Sequence, residues 1–242
     1  MRVIPVLDLL DSVVVRGVAG RRDEYRPVQS QISVSASPGD VANGFRQQYG
    51  SHSLYVADLD AILRGELNRE VLEELSYAGF ELLVDAGVRN AADVDPLFAA
   101  GATKVIVALE TWPPLSSLEL LVSRVGSDRL IFSLDLKAGQ LVRGFHDFVS
   151  NDPLDVAAAV IEVGLRELIV LDVASVGTGD GGRTLGLCQG ILDFAPKTAL
   201  ITGGGIRNVD DLRRLSDAGI DGCLVASALH DGSIAAADIN SL

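Results

Sequence analysis

TALITGGGIRNVDD (198–211) and FELLVDAGVRNAAD (80–93) align without a gap, with Gly205 on Gly87, Arg207 on Arg89 and Asn208 on Asn90. Each reads as a short apolar strand, a turn and the start of an amphipathic helix. The match continues through the next strand, where DVDPLFAAGATKVIVA (93–108) lies on DLRRLSDAGIDGCLVA (211–226). Upstream, LDLLDSVVVRG (7–17) matches LDLKAGQLVRG (134–144), with Asp8 on Asp135 and Arg16 on Arg143. LYVAD (54–58) matches LIVLD (168–172). One succession of units therefore occurs twice in the chain.

Candidate strands fall at 2–7, 53–57, 80–84, 103–108, 129–134, 167–171, 198–202 and 222–226. They are apolar on both faces and alternate with helical patterns, which indicates a parallel sheet. Eight such units in 242 residues match the count of a (β/α)₈ barrel. The expected fold is α/β: one (β/α)₈ TIM barrel over residues 1–242, built from two duplicated half-barrels. A doubly wound open sheet is the alternative. It carries a glycine-rich phosphate loop after strand one, where this chain has none.

A net charge of −13 offers no basic surface for nucleic-acid phosphates, so a nucleic-acid partner is not expected. Cys188 and Cys223 lie far apart in apolar segments and read as buried free thiols in a reducing compartment. No apolar run approaches the roughly 20 residues of a membrane span, and a strand begins at residue 2 in place of a leader. A cytoplasmic protein without a membrane partner is expected, as a monomer or homodimer.

In such barrels the chemistry sits at the C-terminal ends of the strands. Asp8 ends strand one and Asp135 ends strand five, on opposite sides of the ring. Two carboxylates facing across the mouth can act as acid and base if their environments separate their protonation. As a structural alternative, each caps a helix or pairs with an arginine. TGGGIRN after strand seven exposes backbone N–H groups before a helix start, and VASAL (225–229) adds small residues after strand eight. Together they read as a phosphate cradle. Thr178, in the glycine-rich stretch after strand six, can present a hydroxyl to a ligand. Arg21 and Arg22, in the loop after strand one, can meet an anion or remain solvated. Asp8, Asp58, Asp85, Glu110, Asp135 and Asp172 all stand at strand ends, but their spacing fixes no metal geometry, and no metal or cofactor is expected. The histidines His52, His146 and His230 form no cluster, and only His146 lies near a loop mouth.

VIPVLDLLDSVVVRG, LYVADLDA, LDLKAGQLVRG, TGGGIRNVDDL and LVASAL carry a resemblance to the HisA/HisF family of histidine-biosynthesis barrels over essentially the full length. The resemblance implies an Amadori-type isomerase, aminoaldose to aminoketose, acting on a small phosphorylated substrate. It implies Asp8 and Asp135 as the acid/base pair, Thr178 as their assistant, and Gly204, Gly205, Ala226 and Ser227 as the phosphate site. The HisF branch would instead be a cyclase fed by a glutaminase partner.

The chain also departs from the family pattern. VDAG replaces V-G-G-G after strand three, LET replaces G-[ST] after strand four, and Ser175 and Val176 replace Arg and Asp after strand six. Asp85 and Glu110 then stand where a second phosphate would bind, which implies one phosphate site, with Asp85, Glu110, Arg21 and Arg22 as other substrate contacts. AGRRDEYRP with VDAG, LET and VGTG is similar to a divergent HisA-like subgroup associated with one-carbon metabolism on methanopterin-type cofactors. A histidine-pathway isomerase, a relative in one-carbon metabolism and a non-catalytic ligand-binding barrel all remain open.

Overall fold

The computed structural model describes residues 1–18, 21–112, 115–142, 150–176, 182 and 184–242, with the Arg22 side chain excluded. Thr178, Arg143 and His146 lie outside the described residues.

Eight parallel strands close into a barrel: β1 (Arg2–Leu10), β2 (Ser53–Asp58), β3 (Glu81–Asp85), β4 (Lys104–Ala108), β5 (Leu130–Lys137), β6 (Glu167–Asp172), β7 (Ala199–Gly203) and β8 (Gly222–Val225). Closure is made by β8 on β1, with Arg2 opposite Gly222 and Pro5 opposite Val225. Helical segments connect every successive pair of strands. The strands begin and end within about three residues of the sequence reading.

Alternation along each strand sorts the core into two shells. Inside the ring, every strand supplies one large apolar side chain: Ile4, Tyr55, Leu83, Ile106, Ile131, Ile169, Ile201 and Leu224. The opposite faces, among them Leu7, Leu54, Val84, Val107 and Phe132, pack outward against the helices. Below the inner ring, Glu167 pairs with Arg2 at 3.0 Å and with Lys104, closing the N-terminal end with a compensated charge. The lumen is therefore filled, and only its C-terminal mouth is open to a ligand.

The two halves share details that the alignment only suggested. Asp93 accepts the Arg89 backbone N–H at 2.9 Å, and Asp211 accepts that of Arg207 at 3.0 Å. β1 and β5 each run past the reading and turn back into short antiparallel arms, Val13–Arg16 and Gln140–Leu141. Tight two-residue turns make this possible: Asp11, Ser12, Ala138 and Gly139 all have positive φ. In the first half Asp60 holds the turn through the Asp11 and Ser12 amides, and in the second Asp172 holds it through those of Ala138 and Gly139. No described helix is long and apolar enough to cross a membrane. Cys188 and Cys223 are both buried and unbridged.

Candidate active site

Strand register relates two of the carboxylates through β2. Asp8 stands opposite Ala57 on the neighbouring strand, and Ala57 stands opposite Asp85. With Asp135 from β5 and Glu110 just beyond β4, they line a cavity of about 630 Å³ at the C-terminal mouth. The far wall is made by Gly204, Gly205 and Arg207 after β7 and by Ala226 and Ser227 after β8. Among the described residues, Arg16, Lys137 and Arg207 are the cations on the rim.

Asp135 is only 8% exposed, and its Oδ1 accepts a hydrogen bond from Ser133 Oγ at 2.8 Å. Burial, then the charge of Asp85, pushes its carboxyl up to about 7; the Ser133 bond opposes this and Glu110 adds to it. Asp8 is also pushed up to about 7, first by burial and then by Asp85. Part of that burial comes from the hairpin arm: a Cβ on Gly17 would lie 2.8 Å from Asp8 Oδ2. Two carboxyls from opposite strands thus change protonation near neutrality, which suits proton transfer in both directions.

The six strand-end carboxylates divide by where they point. Asp58 and Asp172 turn away from the cavity and serve the backbone. Asp58 accepts from the Ala61 and Asn68 amides, and Asp172 accepts from those of Ala138, Gly139 and Ala174. Asp8, Asp85, Glu110 and Asp135 face the cavity. Among the described residues no group of three His, Cys, Asp or Glu side chains converges tightly enough to hold a metal ion.

The glycine mismatch between the halves has two separate causes. Gly203, which aligns with Asp85, has no room for a side chain, because a Cβ there would come within 2.8 Å of both Leu224 Cβ and the Leu224 carbonyl oxygen. Its absent side chain is first a packing requirement between β7 and β8 and only then part of a cradle. Gly204 and Gly205 have φ of +87° and +72°. In the aligned loop after β3 only Gly87 has positive φ (+65°), and Ala86 does not. The loop after β7 therefore curls differently from the loop after β3, and the difference includes the backbone.

Arg21 does not line the cavity; it makes an exposed pair with Glu24 at 3.1 Å. The Arg22 side chain and Thr178 lie outside the described residues. His230 packs on Phe45 and meets Ser30 Oγ at 2.9 Å; burial pushes it down to about 4.

The model of the family described as histidine biosynthesis protein matches residues 2–235. The chain belongs to this family. It is 33% identical over 96% of its length to an uncharacterized protein of Methanocaldococcus jannaschii, covering 94% of that protein. It is 30% identical over 97% of its length to the 1-(5-phosphoribosyl)-5-((5-phosphoribosylamino)methylideneamino)imidazole-4-carboxamide isomerase of Thermus thermophilus, covering 96% of it. The equivalent isomerase of Syntrophomonas wolfei is 29% identical over 98% of the chain, with 96% of that protein covered.

The site also includes polar side chains that sequence reading missed. The Tyr55 hydroxyl reaches Asp85 Oδ2 at 3.2 Å, and Ser133 holds Asp135. Both carry a hydroxyl on the inward parity of otherwise apolar strands, two residues before an inward-facing position at the mouth. That alternation was the available signal. Tyr25, Arg16 and Lys137 reach the cavity because of the hairpin arms, which the strand pattern did not reveal.

Proposed function

We propose that the protein is an isomerase of the aminoaldose-to-aminoketose type acting on a singly phosphorylated sugar-amine or ribotide-like substrate, with Asp8 and Asp135 as its acid/base pair. The observation that carries this reading is the pairing of two near-neutral carboxyls across one cavity, with the loops after β7 and β8 on its far wall. In the reaction a protonated carboxyl protonates the ring oxygen as the sugar opens to an imine. A carboxylate removes the C2 proton, and the electron pair moves toward C1 and nitrogen. Protonation at C1 and loss of the C2 hydroxyl proton complete the aminoketose. No electron enters or leaves, so the step requires no redox cofactor.

Gly204, Gly205, Ala226 and Ser227 would hold the phosphate, with Arg207 beside them. Asp85 and Glu110 make the opposite end acidic, which disfavours a second phosphate there. Phosphate recognition is tested by calorimetry with ribose 5-phosphate and ribose. The wild type is expected to bind the phosphorylated sugar selectively, and Ser227→Asp to lose that preference. Equal binding of ribose 5-phosphate by both proteins counts against the assignment. The isomerase names of the relatives favour a second reading, the histidine-pathway reaction on a substrate with two phosphates. Growth of a histidine auxotroph lacking its own isomerase, restored by this chain, would establish that reading in place of the first.

A further inference from the structure

Asp8 and Asp135 occupy aligned places in the two halves, yet their carboxyls are held differently. Two residues before each, on the same face of the strand, the first half has Val6 and the second has Ser133. Ser133 is 1% exposed and donates its hydroxyl to Asp135 Oδ1 at 2.8 Å. Register flanks it with Ala108 on β4 and Ile169 on β6, neither of which has a side chain that accepts a hydrogen bond. A buried hydroxyl needs a partner, and among the described residues Asp135 provides it. Asp135 Oδ2 has no hydrogen-bond partner among the described residues and is not sealed off, so it is the oxygen open to the cavity. The Asp8 carboxyl makes no hydrogen bond among the described residues. Packing alone confines it, chiefly the close approach of Gly17 to its Oδ2.

We propose that Ser133 is a positioning residue: by holding Oδ1 it fixes the rotation of the Asp135 carboxyl and leaves Oδ2 as the one oxygen that exchanges a proton with a ligand. The inference rests on the reading of Asp135 as half of the acid/base pair. Proton transfer to or from carbon needs the acceptor oxygen in line with the reacting bond, and a small misplacement costs rate. A carboxyl that turns freely presents either oxygen at any angle, whereas Asp135 presents one. The bond also favours the ionised form of Asp135, against Asp85 and Glu110, whose charges push the other way. Val6 has no hydroxyl to offer Asp8, so the two carboxyls of the duplicated motif are not interchangeable.

Ser133→Ala removes one hydroxyl and leaves every ionisable group of the cavity in place. Carboxyl carbons of aspartate are labelled with ¹³C, Asp8 and Asp135 are assigned with Asp8→Asn and Asp135→Asn, and both are titrated by NMR. In Ser133→Ala the Asp135 midpoint is expected to rise by about half a pH unit or more, and that of Asp8 to stay where it is. Turnover is measured on 5-phosphoribosylamine, formed from ribose 5-phosphate and ammonia, and on the ribotide named for the relatives. The Ala variant is expected to lose about tenfold or more in kcat, with KM within about twofold of wild type. Ser133→Thr, which keeps the hydroxyl, is expected to restore both the midpoint and kcat. Ser133→Cys, a weak donor of similar volume, carries the same expectation as Ala if Ala does not fold. An unmoved Asp135 midpoint in Ser133→Ala, a wild-type kcat, or a folded Thr variant that behaves like Ala would overturn the proposal. A moved midpoint in a protein that turns over neither compound defeats the isomerase reading alone and leaves the hold of Ser133 on Asp135 standing.

Discussion

A methyl group on Gly203 would lie 2.8 Å from both the Cβ and the carbonyl oxygen of Leu224, so β7 and β8 pass each other with no space for a side chain between them. All three of the nearest atoms belong to Leu224, at backbone and Cβ level, and a rotamer change cannot clear them. Gly203→Ala is therefore expected to cost about 2–3 kcal/mol by overpacking. Urea unfolding measures this. An Ala variant with wild-type stability would show that the two strands separate freely, and the steric account of the glycine would fail. Asp85→Gly, the reverse change at the aligned position, is expected to fold normally.

Raised carboxyls make a definite prediction about stability. Asp8 and Asp135 bind protons more tightly in the folded state, at about 7, than in the unfolded chain, near 3.8. Between about pH 4 and 7 the folded state holds the extra protons. The stabilisation linked to them is therefore complete below pH 4 and is lost as pH rises through 7. A three-unit shift corresponds to about 4 kcal/mol. Part of it is repulsion shared with Asp85, so Asp135→Asn is expected to stabilise the protein by about 2 kcal/mol at pH 8 and by little at pH 4. Comparing variant with wild type cancels His230, which titrates the other way. A variant less stable than wild type at pH 8 would contradict the burial of an ionised Asp135.

Asp172 carries two duties that the first half divides between Asp58 and Asp60. Asp172→Ala strands the amides of Ala138, Gly139 and Ala174 and is expected to cost about 3 kcal/mol. Hydrogen exchange separates the two halves. Asp172→Ala should deprotect Ala138 and Gly139, whereas Asp58→Ala should leave Asp11 and Ser12 protected, because Asp60 still holds them.

Burial pushes the Cys188 thiol up to about 12 and Cys223 higher still. Neither should react with a thiol reagent in the folded protein at pH 8. Labelling at the rate of global unfolding is expected, and fast labelling of either cysteine would show that its segment opens locally.

The barrel was legible because its evidence is periodic and repeated. Eight apolar strands, eight helical connections and a twofold alignment all agree, and no single residue decides the matter. The hairpin arms were not legible, since they depend on positive φ at Asp11, Ser12 and Ala138, and neither turn carries the Asn-Gly or Asp-Gly pair that marks a two-residue hairpin. The strand-end carboxylates were visible as a set. Which of them enter the cavity depends on pleat parity near the C-terminal end of each strand, and Asp58 and Asp172 fall on the outward side. Arg21 failed to reach the cavity because its nearest partner is three residues away in the same short helical turn, a local pairing that competes with any distant ligand. The role of Gly203 could not be read from one strand, because the atom that excludes a side chain belongs to the next.

The central claim is that Asp8 and Asp135 exchange protons with the C1–C2 unit of a phosphorylated aminosugar. It is tested most directly in D₂O with 5-phosphoribosylamine, formed in place from ribose 5-phosphate and ammonia, and with the ribotide named for the relatives alongside. Proton and deuterium NMR follow the sugar carbons. The wild type is expected to produce a 1-amino-ketose 5-phosphate carrying solvent deuterium at C1, and Asp8→Asn and Asp135→Asn are each expected to lower the rate by at least about a hundredfold. A folded wild type that incorporates no deuterium into either compound, or variants that incorporate it at the wild-type rate, would contradict the account.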